Sequence, residues 1–199
     1  YDSVIMKTSS SAWTNGYGIY YHSGQLHFFL NNYSTNRISA PVPVNQFVHV
    51  VATYDGTVMR LYLNGVLLAS KSFTGAIIHS TSPLLIGAAA GGFTFGGLLD
   101  EVSVYGRGLT ANEVLEHYNI TVPKNQTLDQ AIISDLPTGY WRLGESSGTL
   151  AFDLSGSGLN GTYQNGVTLG QSGALTGGSA TNTAAGFDRD EDWKAASPS

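Results

Sequence analysis

An antiparallel β-sandwich is the architecture this chain predicts, on three observations. Apolar and polar residues alternate in short runs through the first 105 positions. The loops between those runs carry Asn-Gly, Ser-Gly or Asp-Gly dipeptides, and one stretch alone has helical character. Gly accepts the positive φ that hairpin turns demand, so Asn15-Gly16, Ser23-Gly24, Asp55-Gly56 and Asn64-Gly65 mark corners of antiparallel pairs. Sheets that are greasy on one face need a cover, and with almost no helix the economical cover is a second sheet.

The strands follow in chain order. "SVIMK" (3–7), "YGIYYH" (17–22), "QLHFFLN" (25–31), "FVHVVATY" (47–54), "VMRLYLN" (58–64), "VLLASKSF" (66–73), "PLLIGA" (83–88) and "LLDEVSVY" (98–105) each qualify. In "VMRLYLN" Met59, Leu61 and Leu63 share one face, whereas Val58, Arg60, Tyr62 and Asn64 share the other. "LTANEVLEHY" (109–118) reads as the one short helix: Thr110 and Glu113 have capping-box spacing, and Leu109 with Val114 supplies a hydrophobic staple. So short a helix needs the sandwich edge to lie on. Residues 120–135, with Pro123, Lys124, Asn125 and Gln126, read as a connector, after which "GYWRLGE" (139–145) resumes a strand.

Composition narrows the function classes. The 199 residues include 25 Gly and no Cys, which removes disulfides, thiolate metal sites and cysteine nucleophiles together. Net charge is −5 without any run of Lys or Arg to follow a phosphate backbone, so nucleic acid is not an expected partner. No apolar stretch approaches the roughly 20 residues that span a bilayer, so membrane insertion is not expected either. The first residue is Tyr1 and no signal peptide is visible, so the sequence reads as a piece of a longer chain.

"FVHVVATYDGTVMRLYLNGVLLA", "PLLIGA", "GGLLDEVSVYGRGLTANEVLEHYN" and "GYWRLGESSGTLAFDLSGSGLNGTY" together resemble the laminin-G-like, concanavalin A-like lectin/glucanase jelly rolls of secreted and phage-associated proteins. The resemblance covers most of the chain outside the connector and refines the predicted fold to an all-β jelly roll. It also implies an unexpected order. In the family the "YWRLGE" segment opens the domain and the "YDG", "LYLNG" and "LDEV" segments close it; here the closing part comes first. Two accounts stand. Residues 1–119 finish one repeat and 136–199 begin another, or the two pieces complete one sandwich in circularly permuted order.

The resemblance further implies a structural Ca2+, with Asp153 and Asp100 as ligands and Asn160 as a weaker one, since Ca2+ takes six to eight oxygens. The residues themselves are equally served by an Asx-turn at Asp153 and a strand-end hydrogen bond at Asp100. For sugar recognition the loop candidates are Trp13, Asn15, Tyr17, Tyr33, Asn36 and Phe93, because pyranose faces stack on rings and amides catch hydroxyls. Trp141, Tyr54, Tyr62 and Tyr105 stand in strand patterns and read as core or sheet surface.

No catalytic pattern is seen. The family's glucanases carry Glu-x-Asp-x-x-Glu on one strand, whereas Asp100 and Glu101 are adjacent and expected on opposite faces. Asp188, Asp190 and Asp192 in "DRDEDW" read as a solvated cluster, and the five histidines show no metal-binding pair. The expected function is a non-catalytic, extracellular or virion-surface module that binds a glycan or a surface protein beside neighbouring domains of its own chain. A spacer or adhesion module is the alternative, and a glycoside hydrolase comes third.

Overall fold

The structure is a computed structural model that describes residues 1–9, 12–120, 127–175 and 182–188. It is an antiparallel β-sandwich, with fifteen strands and two short helices among the described residues. The strands of residues 1–104 are β1 (Asp2–Lys7), β2 (Tyr17–His22), β3 (Gln25–Leu30), β4 (Arg37–Pro41), β5 (Val50–Tyr54), β6 (Val58–Leu63), β7 (Val66–Ser72), β8 (Leu85–Ile86), β9 (Gly97–Leu99) and β10 (Val102–Val104). After α1 (Ala111–Asn119) and α2 (Leu128–Ser134) come β11 (Gly139–Trp141), β12 (Leu150–Ala151), β13 (Gly161–Thr162), β14 (Thr168–Ser172) and β15 (Thr183–Phe187).

A five-stranded sheet in the order β4-β3-β2-β1-β8 faces a three-stranded sheet β5-β6-β7. Alternation decides what meets between them. Leu26, Phe28 and Leu30 of β3 point inward with Ile38 and Ala40 of β4, and pack against Met59 and Leu61 of β6. Burying several such side chains, each contributing roughly 1.5–3 kcal/mol, is what fixes the register. Tyr62 lies under α1 in a cluster with Leu109 and Val114, so that face of β6 has a helical cover. A register shift between Leu61 and Tyr62 accompanies this change of neighbours.

Turn chemistry matches three of the four predicted corners. Ser23-Gly24 joins β2 to β3 and Asn64-Gly65 joins β6 to β7, all four residues at positive φ as a two-residue primed turn requires. Asp55 Oδ1 accepts from the amides of Thr57 and Val58 and closes the β5–β6 corner. Asn15-Gly16 differs: β1 ends at Lys7 and β2 begins at Tyr17, so the dipeptide closes a long loop. Gly16 is needed there because a Cβ would lie 1.7 Å from the Lys7 carbonyl oxygen.

The single predicted helix is α1, with the Thr110–Glu113 capping box in place. The connector holds a second helix, α2, capped by Thr127 and Gln130 in the same way; residues 121–126 lie outside the described residues. The predicted strand 98–105 is two strands, because Glu101 at φ 54° breaks the run between β9 and β10.

Late strands pair with early ones. β11 lies antiparallel to β10 with Trp141 opposite Val102, and β15 lies between β14 and β9 with Phe187 opposite Gly97. Trp141, Leu143, Ala151 and Ala185 form a buried cluster against which Leu84, Ile86, Leu99, Val102 and Val104 pack. Part of the apolar surface of the late strands is thus covered by residues from before position 105, while Leu150 of β12 stays exposed.

Candidate functional site

The face of the five-stranded sheet turned away from the sandwich interior carries the densest group of aromatic and polar side chains. Pairing places Tyr20 opposite both Ser3 and His27, His27 opposite Ser39, Phe29 opposite Arg37, and His22 opposite Gln25. Residues paired this way share a face, so Tyr20, His22, Gln25, His27, Phe29, Arg37 and Ser39 form adjacent rows. Tyr20 and His27 stack at 4.6 Å with planes 10° apart. Tyr1 lies parallel to the His22 ring at 4.2 Å and 14°.

Loops wall this face on one side. Trp13, held at φ 47°, stacks over Phe29 and meets Tyr33 and Phe93 edge-on at 5.5 and 5.3 Å. Tyr1 touches Trp13, Tyr33 and Phe93 from outside and is 45% exposed, so it presents a ring to solvent on a rigid aromatic base. Around it His22, Gln25 and Arg37 are exposed and Ser39 is half-buried. Arg37 donates to the Tyr20 hydroxyl at 3.3 Å. Burial raises the Tyr20 pKa against the pull of Arg37, and burial together with the Arg37 charge lowers that of His27, which favours the neutral ring. His27 Nδ1, Ser3 Oγ and Trp13 Nε1 are buried without hydrogen-bond partners, three unsatisfied groups in one cluster.

Of the six loop residues expected to meet a sugar, Trp13, Tyr33 and Phe93 are brought together. Trp13, 3% exposed, supports the cluster from below and offers no ring to solvent. Tyr17 packs against the core between the sheets, Asn15 bonds Thr8 and Ser9 within its own loop, and Asn36 sits in the turn before β4, its carbonyl accepting from the Leu30 amide. His22, His27 and Arg37 were not among the sequence candidates. Their signal is cross-strand register, which alternation within one strand cannot supply.

The acidic residues serve the framework. Asp153 Oδ1 accepts from the amides of Tyr140 and Ser155, and Oδ2 from Leu159. Asn160 Oδ1 accepts from the Asp153 amide. Burial works against ionisation of Asp153, but these donors outweigh it and hold the pKa at about 2. Asp100 joins neither residue in a shared set: its Oδ2 accepts from the Ala174 amide. Asp100 Oδ1, by contrast, is buried without a hydrogen-bond partner. Among the described residues no three His, Cys, Asp or Glu side chains are grouped to hold a metal ion.

Asp100 and Glu101 do not point to opposite faces, because the positive φ of Glu101 replaces the expected strand geometry. Both reach the side chain of Asn182. Glu101 also accepts from the Tyr140 hydroxyl and, at 3.1 Å, from Arg142 Nε, which ties β10 to β11. Burial raises the pKa of both carboxyl groups, against the pull of these donors. With its side chain 8% exposed and both oxygens occupied, Glu101 acts as a clasp between early and late strands. Of the terminal acidic cluster, Asp190 and Asp192 lie outside the described residues.

A family model described as "Concanavalin A-like lectin/glucanases superfamily" matches residues 1–115. No curated protein matches the chain. Among solved structures, an S-layer domain-containing protein of Clostridium thermocellum (residues 221–444) aligns at 18% identity with a TM-score of 0.32, over 59% of this chain and 63% of that one. The chain spans less than two thirds of that structure, and so distant a likeness carries no functional weight.

Proposed function

Since the chain belongs to the concanavalin A-like lectin/glucanases superfamily, we propose that it is a non-catalytic module of a larger surface protein and that it binds a glycan on the outer face of its five-stranded sheet. The observation that carries this reading is the half-exposed Tyr1 ring, stacked on His22 and braced by Trp13, Tyr33 and Phe93 beside exposed Gln25 and Arg37. A flat ring beside hydrogen-bonding side chains is what a pyranose needs: its C–H face stacks while its hydroxyls find partners. Because strands hold His22, Gln25 and Arg37 and aromatic packing braces Tyr1, little conformational entropy is lost on binding. The pairing of β11 and β15 with β10 and β9 supports the permuted account, in which residues 136–199 complete the sandwich begun by 1–119.

A glycan array probed with the whole chain tests the reading, followed by titration calorimetry of the best ligand against wild type and His22→Ala. Binding weakened at least tenfold by the substitution is expected. Silence across the array would remove the glycan reading and leave a spacer or adhesion module.

A further inference from the structure

The charges are unevenly distributed. Between Asp2 and Asp55 the sequence has no Asp or Glu, yet that stretch holds Lys7, Arg37 and three of the five histidines. It is also the stretch that builds β2, β3 and β4, so the outer face described above carries no carboxylate from any of these strands. The loop behind Phe93, residues 87–96, adds none either.

Arg37 opens the edge strand β4 and borders that face. Its guanidinium has five N–H donors, and among the described residues its side chain makes one hydrogen bond, to the Tyr20 hydroxyl, and no ion pair. The three other arginines of the described residues, Arg60, Arg107 and Arg142, each pair with a carboxylate at 3.1 Å or less. Sugar hydroxyls both donate and accept, and a site for neutral sugars ordinarily supplies carboxylate or amide oxygens to accept from them. Here Gln25 supplies one amide oxygen and no carboxylate stands on β2, β3 or β4, while Arg37 offers donors alone, so a group that fills its fork has to bring strong acceptors of its own.

Resting on the glycan reading, we infer that the ligand is an acidic glycan whose carboxylate or sulfate group is received by Arg37, with the sugar ring against Tyr1. Both anions offer a planar or tetrahedral set of oxygens that a guanidinium fork grips with two parallel bonds. The Tyr20 hydroxyl holds the fork towards the aromatic wall, so the charged group and the stacking ring are read together.

The test uses the whole chain on an array carrying neutral, sialylated, uronate-containing and sulfated glycans, with Arg37→Gln and Arg60→Gln in parallel. Arg60 lies on β6 and is paired with Asp55, so its variant measures the general effect of removing one positive charge. Thermal melts of all three proteins establish that folding is unchanged. The expected result is acidic hits outranking neutral ones, with Arg37→Gln weakening them at least tenfold and Arg60→Gln less than twofold. The sialylated and uronate spots against the sulfated ones tell which anion is preferred. Hits on neutral glycans that Arg37→Gln leaves intact would overturn this inference while sparing the glycan reading, as would equal losses in both variants. An array without hits would overturn both.

Discussion

His49 shows how much one side chain can set. Burial, with a smaller push from the neighbouring His117, lowers its pKa to about 4. Its Nδ1 is buried without a partner and its ring lies 6.1 Å from that of Tyr118. In the unfolded chain a histidine titrates near pH 6.5. The unfolded state therefore takes up a proton that the fold refuses, and the His49 contribution, complete above about pH 6.5, is lost as pH falls towards 4. Urea unfolding of wild type and His49→Asn between pH 7 and 4 isolates it. The stability difference is expected to move against wild type by about 3 kcal/mol over that range; a constant difference would assign the acid sensitivity to other groups. Arg37 makes the complementary point: nothing in its sequence neighbourhood marks it, and only the row it shares with Phe29 gives it meaning.

Elements were legible where local chemistry was self-sufficient. The run 17–22 is β2 to the residue, Ser23-Gly24 and Asn64-Gly65 form the expected turns, and the Thr110 capping box starts α1 as its spacing requires. Legibility failed where a partner decides. β4 ends in Pro41 and lies at a sheet edge, where proline is tolerated, and it is absent from the predicted strands. α2 had its capping box in view, but Pro123 and the polar residues after it drew the segment into a connector. β12 and β13 are two residues each, too short for any periodicity. The loops divide in the same way. Gly24 at φ 81° has open space around its Cβ position, whereas a Cβ on Gly16 meets backbone. Gly24→Ala is expected to cost about 1 kcal/mol in a urea melt, and Gly16→Ala about 3–5 kcal/mol, with backbone overlap added to the left-handed penalty. Equal costs would mean that the β1–β2 loop can move off the Lys7 carbonyl.

At the scale of the molecule, the decisive feature is a buried cluster that residues 84–104 share with residues 141–187. Trp13 belongs to the aromatic cluster on the outer sheet face and Trp141 to the cluster shared by early and late strands. If the late strands complete the sandwich, variants retaining only Trp13 or only Trp141 as fluorophore unfold at one urea midpoint. Two separate midpoints would show that residues 136–199 form an independent unit. Family-level knowledge of the motifs could pose this question, but only pairing across 34 or more residues of intervening chain bears on it.

The direction of those pairings has a mechanical meaning. Val102 sits opposite Trp141 and Gly97 opposite Phe187, so in both ladders the chain enters and leaves at the same end. Tension arriving through the flanking polypeptide would load these bonds one after another, as a zip, and not all at once, as in shear. Under such a load the late strands would peel away from β9 and β10 bond by bond, making this junction the place where the two parts of the chain come apart.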